Sequence, residues 1–299
     1  MIAISRIIDA HHHLWDLSAT HHYPWLTERG VHRFFGDPTP IQRDYLVADF
    51  RADFEALPVV GSVHIQVGVA PGDELGETIW LEGLAQAEGL PSAIVAHADL
   101  SRSDIEHLLD EHQRASKLRG IRQIVGRSLR EDALTGTARL LDDPAFLAGL
   151  NALSRRGLSF DLQLIPPQMT SAAKLLARAP DIAVALCHGG SLSDFTPEGI
   201  ALWQDGLRQL AGLPNVICKI SGFGMWVPGW SENTVRDQFL RIVDAFGPER
   251  IAFGSNFPVE KLASDYVSVW QRYDGLARSF SPHEREMMFA GTAERFYRI

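Results

Sequence analysis

Short apolar runs of strand length alternate along the whole chain with stretches whose apolar residues recur every three or four positions. Eight of the short runs read as strands: residues 6–13, 59–68, 92–100, 118–125, 158–165, 182–188, 216–222 and 250–257. Helix punctuation lies between them. Ser101-x-x-Asp104 reads as a capping box ahead of Ile105, Leu108 and Leu109. Asp143-Pro144 opens a helix with Phe146, Leu147, Leu150 and Leu153 on one side and Gly157 at its end. Thr170 opens a helix that Pro180 stops, and Gly247 closes one spaced by Phe239, Ile242, Val243 and Phe246. Ser281-Pro282-x-Glu284 starts the last helix, which Gly291 is expected to end. Strand–helix alternation repeated eight times predicts a single (β/α)8 barrel domain over residues 1–299. A doubly wound open sheet is the alternative, but no Gly-rich phosphate loop follows the first strand.

Two connections are long and aromatic. Residues 15–54 hold Tyr23, Trp25, Phe34, Phe35 and Tyr45, and residues 223–231 hold Trp226 and Trp230. Long loops after barrel strands roof the pocket, so Trp25, Trp226 and Trp230 are expected to close over a partly apolar ligand.

Composition narrows the partners. With 45% hydrophobic and 22% charged residues the chain reads as an ordinary globular protein with an ample core. A formal net charge of −9 argues against nucleic acid or an anionic membrane as partner. Only Cys187 and Cys218 occur, so there is no disulfide framework or cysteine zinc site, and a cytoplasmic location fits. Ile2, Ile4, Ile7 and Ile8 are interrupted by Ser5, Arg6 and Asp9, too broken a run for a signal peptide. The expected partner is a small-molecule substrate; a homo-oligomer is compatible with the sequence but not specified by it.

The candidate chemistry gathers at the ends of the predicted strands, where barrels carry their sites. Residues 6–14 run from apolar Ile7 and Ile8 to Asp9, His11, His12 and His13. Alternation along a strand places Asp9, His11 and His13 on one face and His12 on the other. Later strands offer His64 and Gln66, His97 and Asp99, Arg119 and Arg122, Asp161 and Gln163, His188, Lys219 and Ser221, then Ser255 and Asn256. Buried polar groups are costly unless partnered, so this many at one end of eight strands mark a site. Taken singly, His64 and His97 read better as hydrogen-bonded core histidines, and Lys219 and Arg122 fit equally as ion-pair partners of Asp161 or Asp9. Gly189 and Gly190 after His188 allow backbone amides to approach a ligand.

These motifs resemble the amidohydrolase superfamily, and within it the amidohydrolase-related branch that includes sugar lactonases and 2-pyrone-4,6-dicarboxylate lactonase. The resemblance rests on IDAHHHLWD (8–16), Tyr23-Pro24-Trp25-Leu26, LRGIR (118–122), CHGG (187–190), KISG (219–222), FGSNFPVEKL (253–262) and GTAERFY (291–297). It implies substrate held among His11, His13, His188 and Asn256, with arginines binding a substrate carboxylate. In one respect the chain departs from the branch. The branch carries aspartate at the end of strand eight as metal ligand and general base, and this chain has Asn256, an amide with no basic site. Nor is a metal-bridging Lys or Glu evident on strand four, which makes a two-metal site improbable.

The expected activity is hydrolysis of a lactone or related cyclic ester of a small anionic substrate. His11 and His13 would polarise the carbonyl, His188 would act as base, Asn256 would orient water, and Arg119 or Arg122 would bind carboxylate. His64, Gln66, Gln163, Lys219, Trp25 and Trp226 are further candidates for substrate contact. The cofactor expectation is none, or one divalent ion, zinc by preference, on His11, His13 and His188. An unperturbed histidine base would give activity rising through roughly pH 6–7. Alternatives are a decarboxylase-like lyase using Asp99 or Asp161, and a non-catalytic barrel that has lost its carboxylate.

Overall fold

The structure, a computed structural model, describes residues 4–299; Ile2 of the N-terminal apolar pattern lies outside the described residues. The eight predicted strands are present as β1 (Ile7–His12), β2 (Val59–Ile65), β3 (Ala93–Ala96), β4 (Leu118–Ile124), β5 (Ser159–Gln163), β6 (Val184–Leu186), β7 (Val216–Ile220) and β8 (Ile251–Phe253). They pair in chain order and in parallel, with registers such as Arg122 opposite Asp161 and Lys219 opposite Ala252. The barrel closes through a parallel bridge between His12 and Phe257. There the Asn256 N–H donates to the His11 carbonyl, and the His13 N–H to the Phe257 carbonyl, each at 2.7 Å. Each predicted run overshoots its strand, because the polar residues at its end leave the ladder to form the barrel mouth.

Most helix signals hold. Asp143 caps Pro144–Arg155 by accepting the Ala145 N–H at 2.8 Å, and Ser281 and Glu284 form the capping box of Pro282–Glu286. Two expectations need correction. Asp104, not Ser101, sits at the N-cap of Ile105–His112, while the Ser101 hydroxyl donates to Asp99. Gly291 does not end the last helix either: one π turn (Met287–Gly291) leads on into Thr292–Tyr297.

That extension matters because the barrel holds two separate cores. The larger lies between strands and helices and includes Trp203, Phe239, Phe253 and Trp270. The smaller lies inside the barrel, where Ile8, Ala10, Val63, Ile65, Ala93, Val95 and Ala252 meet Ala290, Ala293 and Tyr297 of the C-terminal helix. Small alanines on β1, β3 and β8 leave room for Tyr297 to enter from below. The opposite wall is polar: Asp161 and Lys219 form a fully buried ion pair, and the Tyr297 hydroxyl donates to Asp161 at 2.8 Å. Among the described residues no helix is long and apolar enough to cross a membrane.

The first strand departs from simple alternation. Its register with β2 shifts between Asp9 and His12, so one extra residue fits into the ladder. Ala10 packs in the inner core, yet His11 also faces inward, its ring 4.6 Å from His188. Asp9 therefore does not share the face of His11 and His13. It points between strand and helix, where Oδ1 accepts the Ser255 N–H (2.8 Å) and the His11 N–H (3.1 Å) and Oδ2 accepts the Tyr266 hydroxyl (2.9 Å). Burial pushes its carboxyl up to about 6 against those three donors.

Candidate active site

The mouth of the barrel brings together His11, His13, His188 and Asn256, none more than 5% exposed. The ring centroid of His11 lies 5.1 Å from that of His13 and 4.6 Å from that of His188. Beside them, a Cβ on Gly222 would stand 3.0 Å from both Asn256 Nδ2 and His188 Nδ1, so amide and imidazole are neighbours. His188 and Asn256 hold positive φ, 54° and 59°. For histidine that conformation costs on the order of 1–3 kcal/mol, the kind of strain that concentrates at functional sites.

The hydrogen bonds assign the ring protons. His13 Nδ1 lies 2.7 Å from the Ile65 carbonyl, which can only accept, so the proton is on Nδ1 and Nε2 carries a lone pair. His188 Nδ1 lies 2.9 Å from Ser221 Oγ and 3.4 Å from the Ser221 carbonyl. A proton on Nδ1 satisfies both contacts and leaves Nε2 as an acceptor. His11 has neither ring nitrogen bonded to protein, although both are buried. Burial holds all three imidazoles well below the ordinary histidine value, aided by Lys219 and Arg122 around His11 and His188 and by Arg122 beside His13. The three rings are therefore neutral at pH 7, and a neutral His13 protonated on Nδ1 has no proton with which to polarise a carbonyl.

Arg122 supplies the positive charge. Its guanidinium is pinned by Gln163 Oε1 at 3.1 Å and by the Gln66 carbonyl, while Nε remains buried without a partner. Gln66 Oε1 is likewise buried and unpartnered. Arg127, which sequence reasoning missed, lies close enough to repel Arg122, and burial holds its own guanidinium below the usual value.

Other expected contacts fall elsewhere. Arg119 is the second residue of β4, and its guanidinium donates to the carbonyls of Ser116, Leu118 and Arg298, all at the floor of the barrel. Arg119 stands three positions before Arg122, an odd step along β4, so its side chain leaves the opposite face of the strand near the barrel floor. Lys219 lies on the floor, donating to Asp161 and to the Ala10 carbonyl. His64 packs outside the strands against His12, which stacks on Phe50 at 4.2 Å, and its Nε2 lies 3.2 Å from the Leu14 carbonyl. Asp161 Oδ1 is held by Lys219 and Tyr297 while its Oδ2 is buried without a partner, and Asp99 accepts from Ser101 and Gln123.

The roof is also revised. Trp226 packs 5.6 Å from His188 and 5.7 Å from Phe34, and Trp25 donates to the Val67 carbonyl at 2.7 Å. Trp230 turns into the core at 1% exposure and donates to Glu260 at 2.6 Å. Glu260 also accepts the Gly224 N–H at 3.0 Å, tying the Trp226 loop to the segment that follows Asn256. Its role was hidden in the sequence because both partners lie about 30 residues away.

Whether the site suits a metal turns on its donors. Three neutral imidazoles, each with an uncommitted nitrogen, match the donor chemistry of one zinc ion. Yet no group of three His, Cys, Asp or Glu is preassembled as a cage among the described residues, and Asn256 stands where a carboxylate would complete one. The donor chemistry of the three imidazoles suits a single ion.

Comparison with known proteins agrees with this architecture. A protein described as L-fucono-1,5-lactonase from Burkholderia multivorans is 31% identical over 304 residues, 98% of this chain and 96% of that one. The protein y4mH of Sinorhizobium fredii is 40% identical over 300 residues, 98% of each chain. A crystal structure of an amidohydrolase from Burkholderia multivorans with bound zinc superposes with a TM-score of 0.83 at 28% identity, covering 99% of this chain and all of that one. With the family profile described as amidohydrolase matching residues 8–299, the chain belongs to the amidohydrolase family.

Proposed function

We propose that the protein opens a lactone, or related cyclic ester, of a small anionic polyhydroxy acid by water attack at the barrel mouth. The observation that carries this reading is the trio His11, His13 and His188, held neutral beside the fixed cation Arg122. The lactonase among its relatives supports the same class of bond.

The chemistry follows from the protons. Water approaches the ester carbon, and His188 Nε2 accepts its proton as the new C–O bond forms. Charge developing on the carbonyl oxygen meets donors from Arg122 Nε and from His11, whose tautomer no protein contact fixes. Breaking the ring C–O bond returns the proton from His188 to the leaving oxygen, which departs as a hydroxyl on the open-chain acid. Asn256 aligns water or the substrate through its amide, and His13 Nε2 accepts from water or a substrate hydroxyl. Trp226 and Phe34 exclude bulk water above. A divalent ion held by His11, His13 and His188 would supply Lewis-acid polarisation and acidify bound water toward a pKa of about 7, with His188 Nε2 then a ligand and no longer the base.

The test is a panel of sugar-acid 1,5-lactones and carboxylic acids, followed by pH indicator and by carbon dioxide capture. Acid release from lactones is expected. Carbon dioxide release, or inertness toward every lactone, would overturn the reading.

A further inference from the structure

We propose that Lys219 is a positioning residue for His11, acting through the carbonyl of Ala10. The proposal rests on His11 being a site residue, whichever ester is opened. Of the three histidines, His13 is anchored through its ring by Ile65 and His188 by Ser221, but neither nitrogen of His11 has a protein partner. The placement of His11 is therefore set by its backbone, and the backbone there is irregular. The register shift between Asp9 and His12 turns both Ala10 and His11 inward.

A bulge of this kind removes a residue from the ladder and leaves a backbone group to be satisfied some other way. A buried carbonyl without a partner is costly. From β7, next but one to β1 around the barrel, Lys219 Nζ donates to the Ala10 carbonyl at 3.3 Å. The ammonium is held in turn by Asp161 on β5, and Asp161 accepts from Tyr297 of the C-terminal helix. On the outer side, Asp9 accepts the N–H groups of His11 and Ser255. On the β8 side, Gly254 lets the strand lie so close that a Cβ there would stand 2.6 Å from His11 Cβ. Lys219 holds the bulge from inside the barrel, and the ion pair on the floor thereby sets the direction of His11 at the mouth.

Two variants isolate the amine. Asp161→Asn removes the ion pair but lets Lys219 still donate to Ala10 and lets Tyr297 keep an acceptor. Asp161→Asn with Lys219→Met differs from it only in losing the amine, while methionine keeps the length of the lysine stem. Turnover, KM, thermal unfolding and the imidazole ¹⁵N resonances are measured for both and for wild type. The expected result is that Asp161→Asn stays within about tenfold of wild type. The double variant should fall roughly 10²-fold in kcat with little change in KM, the loss expected of a displacement of about 1 Å. The ring signals of His11 should move while those of His13, anchored to Ile65, stay. A purely structural role would instead move all three histidines together and lower the unfolding temperature. Equal turnover in the two variants, or unmoved His11 signals, would overturn the proposal. Should the double variant not fold, Asp161→Asn alone decides: a 10²-fold loss there would assign the role to charge and not to the hydrogen bond. Absent turnover in wild type would count against the lactonase reading and leave the resonance comparison to decide this one.

Discussion

Glu260 offers a quantitative handle on the roof of the site. Its Oε1 accepts from Trp230 Nε1 (2.6 Å) and from the Gly224 N–H (3.0 Å), while Oε2 is buried without a partner. Burial pushes this carboxyl from 4.5 up to about 7, opposed by those two donors and by Arg272. Between these two pH values the folded protein carries a proton that the unfolded chain has lost. The native state binds more protons, so stability falls as pH rises through the window. At 1.36 kcal/mol per tenfold change, the ionised form costs about 3 kcal/mol above pH 7. Glu260→Gln keeps an oxygen for Trp230 and Gly224 and cannot ionise. At pH 5 the amide N–H2 replaces the acid O–H on the same unpartnered side, so the two proteins are matched. At pH 8.5 the variant should be more stable by about 3 kcal/mol, on the order of 5 °C in Tm for a chain of this size. Thermal unfolding of both proteins at pH 5 and 8.5 measures this directly, since every other titrating group cancels in the difference. Parallel pH dependence in wild type and variant would refute the reasoning.

Arg122→Met should lower kcat/KM by about 10–100-fold, the worth of a charged hydrogen bond, whereas Arg119→Ala should leave steady-state kinetics unchanged because its guanidinium caps carbonyls on the barrel floor. Trp226→Ala should weaken apparent substrate affinity in the same assay with little loss of stability. Trp230→Ala should show the reverse, costing about 3–5 kcal/mol in denaturant unfolding as a buried aromatic is deleted. Because the neutral form of His188 is the working one and burial holds its pKa well below 6.5, the acid limb of kcat should lie below the pH 6–7 of a free histidine. Asn256→Asp should add a carboxylate to three imidazoles and raise zinc retained after dialysis, read by elemental analysis.

The barrel was legible because short apolar-rich runs recur at strand length and carry their polar residues toward the same end. The histidines were legible for the same reason. What escaped were features that depend on irregular backbone or distant partners. Strict alternation put Asp9 beside His11, and the bulge at Ala10 undoes that. Alternation along LRGIR put Arg119 and Arg122 on opposite faces, yet either was offered as the carboxylate binder; the hydrogen bonds of Arg119 to floor carbonyls leave that role to Arg122. Lys219 sits two residues before Ser221, and that spacing lowers it from substrate level to the Asp161 ion pair. Trp226 and Trp230 share a loop, and the partners that draw Trp230 into the core, Glu260, Phe223 and Tyr273, are set by the fold.

In the proposed mechanism His188 is the base and Asn256 only an orienting group. The direct measurement is lactone turnover, at saturating substrate and neutral pH, of wild type, His188→Ala and Asn256→Ala. The account predicts a loss on the order of 10²–10⁴ in kcat for His188→Ala and a smaller loss for Asn256→Ala, which removes a hydrogen bond and no proton acceptor. Near-native turnover in His188→Ala together with an inactive Asn256→Ala would contradict it.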